Sequence, residues 1–193
     1  MGNNQWFVWL TTFVPILPIF VLSVRGRGVL LSERLLAVGF LVSVVTDLWM
    51  RFGGWWIFYI YAPLQVAFFC YAVNGRVKTL FVVSAALAFE AAVLLAVEAT
   101  GAVGMHERMA GLVASVVLVS VVWWVNLKSP FMPAVLTYAG FGSVGFLMVG
   151  IAMADADPGR LFWVGYWWYH LCKFVGVGLA VYALIRPTAR GGR

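Results

Sequence analysis

The sequence predicts an all-α membrane protein: one bundle of seven transmembrane helices, amino terminus outside and carboxyl terminus cytoplasmic. Three observations predict it. Of the 193 residues, 64% are hydrophobic and 10% charged, with a mean hydropathy of +0.97, whereas soluble domains carry roughly a quarter charged residues. Seven apolar stretches of 16 to 25 residues stand near or within the ~17 to 25 that a spanning helix needs, the second being the shortest. On that count, one side collects Arg25, Arg27, Arg34, Arg76, Lys78, Lys128, Arg186, Arg190 and Arg193, and the other Arg51, Arg108 and Arg160. Such a bias marks the first side as cytoplasmic. A six- or eight-span count would spoil the alternation.

Taken in order, the spans are 6–24, 35–50, 55–73, 80–97, 109–126, 131–153 and 161–185. The first is expected to be a retained helix, because Met1 to Gln5 hold no Lys or Arg and no small-residue cleavage site follows the run with Pro15 and Pro18. Turn chemistry separates the rest: Arg25-Gly26-Arg27-Gly28, Gly53-Gly54, Asn74-Gly75, Gly101 to Gly104, Ser129-Pro130 and Asp155-Ala156-Asp157-Pro158-Gly159. Short links imply antiparallel neighbours in a single domain over residues 1–193.

Tryptophans 6, 9, 49, 55, 56, 163, 167 and 168 fall toward the outer helix ends, and Trp123 and Trp124 toward the inner end of the fifth span. Indoles favour the headgroup region, so an anchoring belt is the plain reading and an outer aromatic pocket the sharper one. On the sixth span Gly140, Gly142, Ser143 and Gly145, and on the seventh Gly165, Cys172 and Gly176, predict close helix packing. Cys70 and Cys172 lack metal-ligand spacing and read as small buried hydrophobes.

Polar groups at membrane depth are the candidate site. Asp47, Gln65, Glu90, His170 and Lys173 lie inside apolar runs, where ionisable groups face the bundle interior and pair. Tyr166, His170 and Lys173 stand at i, i+4 and i+7, one stripe of the seventh helix. Ser43, Thr46 and Asp47 form a stripe on the second, and Tyr61 with Gln65 one on the third. Three stripes at overlapping depth predict one shared network. Lys173 balances Asp47 or Glu90, or the groups are neutral; the alternative to a ligand site is a pin that fixes helix packing. Glu98 reads as a solvated helix terminus, and His106 as an ordinary residue of an exposed loop beside Glu107 and Arg108.

There is no Walker loop, Gly-x-Ser-x-Gly, His-Glu-x-x-His or clustered Cys/His set, so neither catalysis, metal nor cofactor is expected. Basic residues are scattered singly at helix ends, which argues against nucleic acid.

Thr46-Asp47-Leu48, Tyr61-Ala62-Pro63-Leu64-Gln65, and Trp167-Trp168-Tyr169-His170 followed by a polar residue at 173 resemble a broad set of uncharacterised bacterial seven-helix membrane proteins of about this length. Those typically show Thr-Glu or Thr-Asp late in helix two, Tyr-x-x-Leu-Glu in helix three and Trp-x-x-His-x-x-x-Asn in helix seven. Gln65 stands here for the Glu, and Lys173 near the Asn. The resemblance covers most of the chain and implies architecture without an activity.

A second set, Lys173-Phe174-Val175-Gly176-Val177-Gly178-Leu179 with Arg51 and Trp55, is similar to microbial rhodopsins, which implies a retinal Schiff base on Lys173. The third helix lacks their carboxylate counterions, Tyr169 stands where they have an aspartate, and the sixth helix lacks their Trp and Pro.

The expected function is non-enzymatic: binding or sensing of a small apolar or amphipathic ligand, a lipid or a partner membrane subunit, in an outer-half cavity lined by aromatics and by Asp47, Gln65, His170 and Lys173. Other readings are proton or small-ion transport through the same groups, a structural subunit of a membrane complex, and retinal binding. The expected setting is a bacterial cytoplasmic (inner) membrane, crossed several times, with lipid and either a second copy or another membrane protein as partners.

Overall fold

Proline placement explains how the first helix survives its own sequence. In the computed structural model, which describes residues 5–26, 28–52, 58–74, 129–154 and 159–186, Gln5–Phe13, a 3-10 turn Val14–Ile16 and Leu17–Arg25 run on as one rod, α1. Pro15 and Pro18 occupy the first positions of the 3-10 turn and of the helix after it, where a missing N–H breaks least. Thr11 and Thr12 donate to the Val8 carbonyl at 2.9 Å each, which satisfies hydroxyls within the helix itself. Gly26, at φ +68, closes the rod.

Helix α2 covers Leu31–Phe52. It begins four residues before the expected start at 35 because Glu33 is structural: its carboxylate accepts from the Leu30 N–H at 2.8 Å, one arm of a capping box. α3 is Phe58–Asn74. α4 comprises Met132–Val135, a π-helical stretch Leu136–Phe141 and Gly142–Ala154, and α5 is Gly159–Ile185. All secondary structure among the described residues is helical. The expected spans 80–97 and 109–126, with Glu90, Glu98, His106, Trp123 and Trp124, lie outside them. Among the described residues, two helices have the length and apolarity to cross a membrane: Trp6–Arg25, 20 residues, and Gly159–Ile185, 27 residues.

α1 lies against α2 and α5, α2 against α3, and α4 against α5, while the start of α4 reaches α3. Between them Leu36, Phe40, Phe69, Met132, Val135, Tyr138, Val177 and Leu184 form the core. Phe40, Phe69 and Tyr138 make a triangle of edge-on rings with centroids 4.7 to 5.9 Å apart, the geometry that ring quadrupoles favour.

Large apolar side chains also cover the outside: Phe20 is 64% exposed, Phe52 84% and Leu171 56%. Glu33, Gln65, His170 and Lys173 are buried. Buried polar groups and broad exposed apolar faces are the informative departures from soluble packing.

The small-residue faces of α4 and α5 meet as expected. A methyl group on Gly145 would stand 2.6 Å from the Tyr169 nitrogen and 2.7 Å from the Gly165 carbonyl, and one on Gly165 2.6 Å from Met148 Cβ. One on Gly176 would meet Tyr138 Cβ at 2.6 Å, whereas Gly142 faces Cys172 at an ordinary 3.7 Å. Only hydrogen fits at the three tight positions. A fourth such glycine, Gly39 on α2, packs under the Phe69 ring, 2.6 Å from where its methyl would be.

Candidate functional site

Helix periodicity gives α5 two working faces. Gly165, Cys172 and Gly176 turn to α4, while Tyr166, His170 and Lys173 project about 100° away at ~100° per residue, toward α1 and α2. Lys173 is 2% exposed, and its ammonium donates to the Asp47 carboxylate of α2, whose side chain is 14% exposed. The Tyr169 ring centroid lies 5.4 Å from the same nitrogen, within cation–π range. Opposite charges are thus brought together in the bundle interior. Of the two partners the sequence offers Lys173, Asp47 is the one seen in contact; Glu90 lies outside the described residues.

Asp47 is the top rung of a ladder on α2. One turn inward, Ser43 accepts a hydrogen bond from the Tyr138 hydroxyl of α4. One turn further, the Gly39 carbonyl accepts from Gln65 Nε2 of α3 at 2.9 Å. Residues 39, 43 and 47 fall on one stripe about 6 Å apart in height. Each rung holds a different helix.

Gln65 is therefore engaged some 12 Å below Asp47, through its own bond to the α2 backbone. Thr46, on the same α2 stripe in the sequence, turns back to the Val42 carbonyl at 2.9 Å. Tyr166 stands edge-on to His170, with centroids 4.3 Å apart. The Tyr61 side chain lies outside the described residues. His170 is 7% exposed and ringed by Phe7, Tyr166 and Tyr169. Its Nδ1 is buried and finds no hydrogen-bond partner among the described residues.

Two participants escape a reading of the sequence. Tyr138 sits in the π-helical stretch, whose extra residue per turn redirects side chains; the signal for it is a lone phenol in the sixth span, which needs a partner when buried. The second is Arg25. Its Nη1 donates to the buried Glu33 carboxylate at 2.7 Å and to the Leu184 carbonyl at 2.8 Å, so one guanidinium ties the ends of α1, α2 and α5. Trp168, expected in the belt, instead donates its indole N–H to the Phe141 carbonyl of α4 at 2.8 Å. Trp6, Trp163 and Trp167 are exposed.

No protein-family model, curated protein or solved structure matches the chain. The site must therefore be argued from its own chemistry. Schiff-base formation needs a neutral, accessible amine, and the Lys173 nitrogen is enclosed and held by a carboxylate.

Proposed function

We propose that the chain is a seven-helix protein of a bacterial cytoplasmic membrane, amino terminus outward and carboxyl terminus cytoplasmic, that binds or senses a small apolar or amphipathic ligand without enzymatic chemistry. The exposed apolar faces and the two spanning-length helices support the membrane setting. The binding role is carried by one observation, the enclosed Lys173–Asp47 pair.

A buried ion pair loses much of its Coulomb gain to desolvation, and well-packed apolar residues in its place are often neutral or stabilising by about 1–4 kcal/mol. Stability alone is therefore a poor reason to hold the pair there. Ionisable groups at membrane depth belong by default to ligand sites or pathways. The polar stripe of α5 also meets α1, through the ring of Phe7 against His170.

The test is mass spectrometry of the purified protein beside the double variant Lys173→Met/Asp47→Leu. A small molecule retained by the parent and lost from the folded variant is the expected result. If neither retains one, and proteoliposomes instead show proton or ion flux that Lys173→Met abolishes, the same groups form a transport path and the binding reading falls.

A further inference from the structure

His170 stands apart from every polar neighbour described above. Lys173 has Asp47, Tyr138 has Ser43, Gln65 has the Gly39 carbonyl and Thr46 the Val42 carbonyl. His170 Nδ1 is enclosed without a hydrogen bond, although its residue is 93% buried, by difference from 7% exposure. Leaving a buried nitrogen unsatisfied is costly, and an atom without a partner among the described residues calls for one from beyond them.

The surroundings restrict that partner. Tyr166 and Tyr169, at centroid distances of 4.3 and 5.3 Å, belong to the same helix as His170. Phe7, at 5.4 Å, is the one ring of the shell carried by another helix among the described residues. It also touches Trp167 at 5.1 Å and Phe174 at 6.0 Å, so a single half-buried ring closes the outer α1–α5 seam.

We propose that His170 receives the hydroxyl group of an uncharged amphiphile that enters between α1 and α5 by displacing the Phe7 ring. The inference rests on the binding function proposed above and names the chemical class of its ligand. A hydroxyl both donates and accepts, so it satisfies Nδ1 in either imidazole tautomer. The ligand is uncharged because the Lys173–Asp47 pair one turn inward is already neutral as a unit, and a further charge there would stay uncompensated in a low-dielectric interior. Its tail is apolar because the seam is lined by Phe7, Trp167 and Phe174.

The experiment uses the full chain in phosphatidylcholine nanodiscs and a photoreactive diazirine derivative of 1-dodecanol, with cross-linked peptides mapped by mass spectrometry. Saturable labelling of the outer halves of α1 and α5 is expected, competed by 1-dodecanol and not by dodecane or dodecyltrimethylammonium. His170→Phe, which keeps a ring and removes the nitrogens, should weaken dodecanol competition about tenfold, the scale of one lost hydrogen bond; His170→Gln should retain most of it. Equal competition by dodecane, stronger competition by the ammonium, or an unchanged His170→Phe would overturn the hydroxyl assignment while leaving a binding site in place. Absence of saturable labelling by every probe would remove the binding site as well.

Discussion

The Lys173 ammonium of α5 and the Asp47 carboxylate of α2 are joined inside the bundle, the lysine 2% and the aspartate 14% exposed. Breaking such a pair on one side leaves an uncompensated charge, at a cost of about 3–5 kcal/mol. Lys173→Met and Asp47→Asn alone should therefore lower the melting temperature sharply in detergent. The double variant Lys173→Met/Asp47→Leu should recover most of it. A double variant whose loss equals the sum of the two single losses would mean that the two residues act independently.

The glycine contacts give a graded series. Gly145→Ala, Gly165→Ala and Gly176→Ala each drive a methyl group into a neighbouring helix and should cost about 1–3 kcal/mol, as overpacking does. Gly178 has nothing within 4 Å of its would-be Cβ. Gly178→Ala should be neutral or stabilising by roughly 0.5–1 kcal/mol from backbone entropy. Thermal denaturation of the four variants checks the order.

At the other end of the bundle, Arg25→Met should strand the fully buried Glu33. The arginine side chain is 31% exposed, so the loss is expected near the lower limit for buried pairs, about 3 kcal/mol. Adding Glu33→Met should return part of it. Proteolysis near the α1–α2 link, faster in Arg25→Met than in the double variant, would report the loosened helix ends.

Because the Lys173 amine is enclosed and ion-paired, all-trans retinal added to the purified protein should produce no visible absorbance band and no borohydride-reducible adduct. A stable band that Lys173→Met abolishes would show that the pair opens to an aldehyde, and would restore the rhodopsin comparison.

How much of this was legible in the sequence differs by residue. Helices were readable because apolar runs, glycine links and prolines are local signals, and 131–153 and 161–185 come within two residues of α4 and α5 at each end. The approach of Gly145 to Gly165 was readable because small residues at helical spacing announce it. Lys173 with Asp47 was half readable: depth and charge named two acids, and only three-dimensional neighbourhood picks one. Gln65, at the same nominal depth, could not be assigned, since its partner is a backbone carbonyl and carbonyls carry no residue signature. Nor could Tyr138, because a π turn rotates side chains off the 3.6-residue pattern. Burial of Glu33 carried no local signal, because the guanidinium that covers it comes from another helix.

The ladder on α2 has a temporal side. Asp47 and Lys173 are separated by 126 positions, which at ~5–20 residues per second of synthesis amounts to roughly 6 to 25 s. Throughout that interval the nascent second helix lacks the ammonium that its Asp47 meets in the finished chain, and chains stalled before α5 would never gain it.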